Sequence, residues 1–282
     1  MAVLAGAASR AGGIYNDPLP LRSGGAMDWN FVRDFFRARR VRRHVARHGE
    51  RYDFHGQDVI VPLVAGVGPA NALLRGKYER AEAAMILKHL PPDRPVIELG
   101  GSLGVISALI RSRLAPGTRH VVVEANPDIL DICAKNAQRG SRAGDTDVVY
   151  AAYYPGGGDA VFLLGADVHS NTLEAGKGNG RRITVPAVTL ERLLSRIGNP
   201  GNVTVVCDIE GAEAALFLEE HEMLDHVGMM IVELHPDAYG AWGTTEKALL
   251  SVARKRGLVE IDRMEDTVVL ARQRAGKIAG NA

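Results

Sequence analysis

From residue 78 to residue 272 the chain alternates between short apolar runs and stretches whose apolar residues recur at helical spacing. The runs Val96–Leu99, His120–Glu124, 147–151, Val203–Cys207 and 229–232 are nearly continuous in apolar residues. Such runs lack the in-out alternation of a half-exposed sheet, so they predict parallel strands covered on both faces. Helices are predicted over 78–90, 105–114, 126–138, 189–196, 211–220 and 244–256. Pro91, Pro92 and Pro95 end the first of these. Asn126 followed by Pro127 supplies start signals for the third, and Gly140 and Gly257 supply stop signals. Residues 258–263 and Thr267–Arg272 read as two further strands. Only three residues join them, which is too short for a parallel crossover, so this pair must be an antiparallel hairpin. The fold class is therefore α/β: a doubly wound, Rossmann-like sheet of five parallel-type strands plus a C-terminal antiparallel hairpin. Residues 153–179 are Gly-rich and irregular and read as an insertion, in which 160–164 is expected to pair with 182–185.

Upstream of this pattern the picture changes. Residues 29–47 form an amphipathic helix in which Phe31, Phe35 and Phe36 share one face, expected to dock on the body. Residues 1–26 show no periodicity and read as a disordered tail, and Met27 is a candidate start. The expected organisation is thus a tail (1–26), a basic N-terminal helical extension (27–76), one large domain (77–274) and a C-terminal tail (275–282). Net charge is +1, but between Arg33 and Arg51 eight arginines face only two acids, a local +6 that leaves the rest of the chain at −5. This segment fits a solvated helix, an anionic surface or a homodimer contact. Apolar residues make up 46% of the chain and charged residues 24%, which excludes a wholly disordered protein. No apolar run is long enough to cross a bilayer, and no secretory signal is recognisable, so the expected setting is cytoplasmic. Two cysteines form neither a disulfide framework nor a four-cysteine zinc site.

The chemistry concentrates after the first strand, in Glu98-Leu99-Gly100-Gly101-Ser102-Leu103-Gly104. Glycines between a strand and a helix let backbone amides approach a ligand closely. The spacing does not match the dinucleotide fingerprint G-x-G-x-x-G, because Ser102 stands where the second glycine would be. An acidic Glu98 at the strand end suits a cationic ligand better than a pyrophosphate. Glu124 ends the next strand, where a carboxylate can accept both ribose hydroxyls. An adenosine, a cation and no phosphate describe S-adenosyl-L-methionine, with Glu98 expected near its sulfonium or amino-acid end.

At these residues the chain resembles the class I methyltransferases. A second block narrows the resemblance: Val203–Cys207 is followed by Asp208-Ile209-Glu210-Gly211-Ala212-Glu213, and the 230–236 stretch reads MIVELHP. A strand ending in D-x-E-G-x-E, with an acidic residue closing the following strand, is similar to the FkbM-type methyltransferases. The chain departs from that family at Ala125 and Asn126, within its E-P-N-P-like region, and at Cys207. The resemblance implies methylation, mostly of hydroxyls on sugars and small natural products. It also places the start of the helix before the first strand over the cofactor, with Tyr78 and Glu79 as the residues expected to close the site. The cofactor-binding set is then Glu98, Gly100, Gly101, Ser102, Gly104, Glu124, Ala125, Asn126 and Tyr78.

Asp208 and Glu233 end adjacent strands and so reach the same sheet edge as Glu124. With His235 they form the expected catalytic set, His235 being the best-placed imidazole and Asp208 the alternative base. Glu210 and Glu213, three apart at a helix start, are expected to face the acceptor. Asp208, Glu210 and His235 are metal-ligand types, but their spacing matches no strong motif, so no metal is expected. Three other functions stay open on the sequence. A nucleic-acid methyltransferase acting through the arginine helix lacks the N/D-P-P-Y/F motif, whose place Asp208-Ile209-Glu210-Gly211 takes. A nicotinamide-dependent oxidoreductase lacks its glycine fingerprint. A non-catalytic binding module would keep the cofactor site alone.

Overall fold

The apolar runs build the centre of a seven-stranded sheet, and the computed structural model describes residues 29–164, 172–173 and 181–273. In chain order the N-terminal elements are α1 (Trp29–His48), the hairpin β1 (Arg51–Phe54) and β2 (Gln57–Ile60), α2 (Val67–Leu74) and α3 (Arg80–His89). There follow β3 (Val96–Leu99), α4 (Val105–Arg113), β4 (His120–Glu124), α5 (Leu130–Ala137) and β5 (Thr146–Tyr150). The insertion contains β6 (Ala152–Tyr153), β7 (Asp159–Leu164), β8 (Thr172–Leu173) and β9 (Arg181–Val188). The chain then continues through α6 (Leu190–Arg196), β10 (Val203–Cys207), α7 (Glu213–Leu218), β11 (Val227–Glu233), α8 (Glu246–Lys255), β12 (Leu258–Met264) and β13 (Thr267–Arg272).

The strand order is β12-β13-β11-β10-β3-β4-β5. The five strands from β11 to β5 run parallel, while β13 is antiparallel to both β11 and β12, as the short connection requires. From β3 the chain winds outward through β4 to β5, then returns to the other side of β3 as β10. The carboxyl ends of β3 and β10 therefore flank the switch in strand order, where open α/β sheets bind their ligands.

Successive residues of each strand face opposite cores. Val205 packs with Ile97, Leu99 and Val123 on the face covered by α6, α7 and α8. Val206 packs with Val96, Ile231 and Val269 on the other face, with α3 and α4. Val205 and Val206 are both fully buried, each contributing about 2 kcal/mol by removal from water. This double covering is why the strands carry no polar alternation.

The N-terminal extension is more than a helix. It also contains the β1–β2 hairpin and α2, and Val41, Tyr52, Phe54 and Val59 join the α3–α4 core. The buried face of α1 is Ala38 and Val41, while Phe36 is 54% exposed and Trp29 73%. The aromatic face expected to dock is thus turned outward at Phe36. Around Phe36, the arginines 39, 40, 43 and 47 line a shallow hollow.

Two local expectations shift. Asn126 does not cap a helix directly; its side chain accepts from the Asp128 amide, and α5 begins one turn later at Leu130. The insertion pairs as expected, with Ala160 opposite Val185, and β9 adds a parallel pairing to β6. The expected tails 1–26 and 275–282, and much of the Gly-rich insertion, lie outside the described residues.

Candidate functional site

The turn after β3 is shaped by its neighbours before any ligand is considered. Gly100 has φ +92°, and a Cβ there would overlap the carbonyl oxygen of Asp208. At Gly101 a Cβ would lie 2.8 Å from the Cys133 sulfur, and at Gly104 (φ +72°) it would run into the Cys133 backbone of α5. The amides of Gly100 and Gly101 both donate to the carbonyl of Val123. Asn136 of α5, fully buried, fastens the turn from behind: its Nδ2 donates to the carbonyls of Leu103 and Ile60, and its Oδ1 accepts the Ile60 amide.

Glu124 closes the turn from β4. Its two oxygens accept the amides of Ser102 and Asn126, each at 2.6 Å. Burial pushes its pKa up to about 7, while these amides pull the other way. Glu124 lines a cleft together with Gly100, Ser102, Ala125, Tyr153, Phe162 and Asp208. Amides and a carboxylate stand at one side of this cleft. Phe162, Ala152 and Ile209 supply an apolar wall for a flat ring. These residues fit an adenosine-bearing cofactor.

The other side of the cleft is acidic. Asp208 follows β10, and its amide donates to Leu99, which ties β10 to β3. Its Oδ1 is buried and has no hydrogen-bond partner among the described residues. Burial, with Glu233 and Glu79 next, raises its pKa well above the usual carboxylate range. The tight turn after it needs two left-handed residues, Glu210 (φ +53°) and Gly211 (φ +97°). A second cleft, lined by Lys77, Glu79, Arg80, Glu82, Glu233 and Glu265, lies alongside. One oxygen each of Glu79, Asp208 and Glu233 lie within 4.8 Å of one another, so the two clefts meet at this triplet.

His235 is positioned by Glu213. Its Nδ1 is 3.2 Å from Glu213 Oε1, and its Nε2 faces Asp208 Oδ1 and Glu210 Oε2, both at 3.6 Å. Burial lowers the imidazole's pKa, but the Glu213 hydrogen bond and the charges of Glu213, Asp208 and Glu210 outweigh it and raise it to about 9. His235 therefore carries its proton at neutral pH and does not serve as a ready base.

Several expected residues are built differently. Glu98 does not face the cationic end of a ligand. It is 2% exposed, and its oxygens hold Ser107 Oγ and His120 Nε2 at 2.8 Å each. Glu213 does not face an acceptor. Fully buried, it accepts from the Gly211 amide, the His235 amide and the Tyr239 hydroxyl, because a carboxylate at a helix start is an acceptor for such donors. Tyr78 is buried, with its ring edge-on to Phe54 and its side chain in polar contact with Ser102 of the glycine turn. Asn126 enters through its amide, which Glu124 accepts. Ala125, Glu210 and Glu233 do line the clefts.

Sequence reasoning missed Phe162 and Glu82. Phe162 lies in a strand paired with β8 and β9 inside the insertion, opposite Leu173 and Ile183, so no local spacing points to it. Glu82 is 5% exposed on an otherwise ordinary helix; an acid among alanines at core spacing was the available signal.

The family model for the methyltransferase FkbM domain matches residues 100–273. No curated protein matches the sequence. Among solved structures the chain is similar to magnesium protoporphyrin IX methyltransferase from Synechocystis PCC 6803 with bound SAH. The identity is 12%, the match covers 86% of this chain and 99% of that one, and the TM-score is 0.39. It is also similar to precorrin-6y C5,15-methyltransferase from Geobacter metallireducens GS-15, at 15% identity, covering 70% and 89% of the two chains, with a TM-score of 0.39.

Proposed function

The chain belongs to the FkbM methyltransferase-domain family, and on that premise we propose that it methylates a hydroxyl on a sugar or a small natural product. It is an S-adenosyl-L-methionine-dependent methyltransferase. One observation carries the finer reading: Asp208 lines the same cleft as the glycine turn and Glu124, with a buried oxygen that makes no hydrogen bond among the described residues.

S-adenosyl-L-methionine supplies a methyl group already activated by its sulfonium. The chain's own work is then positioning and proton removal. Glu124 and the amide-lined turn hold the ribose end of the cofactor. Phe162 and Ile209 pack its base and exclude water. Asp208 receives the proton that the acceptor hydroxyl gives up, its proton affinity raised by burial and by Glu233 and Glu79. His235, protonated and fixed by Glu213, steadies the carboxylates of Asp208 and Glu210 before the proton is taken up.

No helix among the described residues is long and apolar enough to cross a membrane, and a cytoplasmic setting belongs to the same reading. The experiment is labelled methyl transfer from S-adenosyl-L-methionine to a panel of sugars, glycolipids and polyketides. S-adenosylhomocysteine binding is measured alongside by calorimetry. Transfer to hydroxyls supports the reading. Transfer confined to amines or nucleic acid, or no affinity for S-adenosylhomocysteine, overturns it.

A further inference from the structure

We propose that the carboxylates of Glu79, Asp208 and Glu233, backed by the buried Glu82, bind one divalent cation of the Mg²⁺ or Mn²⁺ kind. The first observation is geometric. One oxygen from each of the three lies within 4.8 Å of the others, and they come from three separate places in the fold: the segment before α3, the end of β10 and the end of β11. Oxygens around a Mg²⁺ ion at about 2.1 Å stand about 3 to 4 Å apart, so small side-chain movements close this set on an ion. An all-oxygen set suits hard cations rather than zinc or copper.

The second observation is independent. Glu82 is 5% exposed, lines the same cleft as Glu79 and Glu233, and makes no hydrogen bond or ion pair among the described residues. A carboxylate taken out of water normally finds a donor or a counter-charge. The groups that bear on Glu82 are instead four more carboxylates: Asp208, Glu79, Glu98 and Glu233. The neighbouring Arg80 is committed to Glu265. A cation at the triplet supplies the missing positive charge for Glu82 from behind the ligands, the usual part of an outer carboxylate. The triplet also sits where the cofactor cleft meets the second cleft. A bound ion would there hold an acceptor oxygen beside Asp208, a role that rests on the methyltransferase reading, whereas the cation site itself does not.

The test is Mn²⁺ titration of the full chain, followed by electron paramagnetic resonance of the free ion, with Mg²⁺ as competitor. The expected result is one Mn²⁺ per chain, displaced by Mg²⁺. Glu82→Gln should weaken binding about tenfold and Asp208→Asn should weaken it more, with circular dichroism confirming that both variants fold. Glu233→Gln serves in place of either one that does not. S-adenosylhomocysteine binding is measured on the same samples. Absence of bound Mn²⁺ at about 1 mM, with S-adenosylhomocysteine still bound, overturns the cation site and leaves the methyltransferase reading standing. Mn²⁺ binding unchanged in the variants also overturns it. Mn²⁺ binding lost in the variants, with no S-adenosylhomocysteine affinity in the wild type, upholds the site and fells the other reading.

Discussion

Glu213 Oε1 lies 3.2 Å from His235 Nδ1 and 2.7 Å from the Tyr239 hydroxyl, so one buried carboxylate fixes both the orientation and the charge of the imidazole at the cleft. His235 titrates in a predictable direction. The folded-state pKa of His235, about 9, stands above its ordinary value of 6.5. The stability it contributes is therefore complete below about pH 6.5 and is lost as pH rises through about 9. Glu213→Gln should bring the His235 pKa down, read by NMR titration of the ring. An unchanged value would show that the charge comes from Asp208 and Glu210 alone.

Truncating the same carboxylate has a structural cost. Glu213→Ala removes the acceptor of two amides and a hydroxyl in a fully buried place. The expected loss is about 3 kcal/mol in denaturant unfolding. A loss under about 1 kcal/mol would mean that water reaches these donors.

Glu124→Ala should weaken S-adenosylhomocysteine binding about a hundredfold, since two carboxylate oxygens and the order they impose on Ser102 and Asn126 go together. The loss should exceed that of Glu213→Ala. In the wild type, affinity should fall as pH drops through about 7, where Glu124 takes up its proton. Equal losses in the two variants, by calorimetry, would misplace the ribose.

Asp208→Asn should lower methyl-transfer turnover about a hundredfold or more while affecting S-adenosylhomocysteine affinity less. Wild-type turnover should decline on the acidic side, as the base becomes protonated. A variant that keeps full turnover would remove Asp208 from proton transfer.

Gly100→Ala should cost about 3 kcal/mol or more, because the new methyl meets the Asp208 carbonyl and the backbone is held at φ +92°. Thermal unfolding of the variant measures this. A near-normal melting temperature would show that β10 can retreat from the turn.

The sheet was readable from the chain because burial on both faces leaves continuous apolar runs, and β3, β4, β10 and β13 begin and end where those runs do. The β1–β2 hairpin was not foreseen, although its His55-Gly56 corner, with both residues at positive φ, is the two-residue turn that joins twisted strands. Strand ends told which acids reach the site edge, and Glu124, Asp208 and Glu233 are there. They could not tell which way a side chain turns. Glu98 satisfies His120 and Ser107, and Glu213 satisfies the loop after β11, because donors distant in sequence arrive at those places only in the folded chain.

Asn136 joins Ile60, 76 residues earlier, to Leu103 in the glycine turn. Bringing ends so far apart together costs about 4 kcal/mol of chain entropy before any bond is gained. Contacts of that span form late and slow the search. As the chain leaves the ribosome, the cofactor turn is made before α5 but acquires its rear fastening only when α5 has emerged and the first hairpin has been caught. The fastening behind the glycine turn is thus shared between two segments that are synthesised far apart.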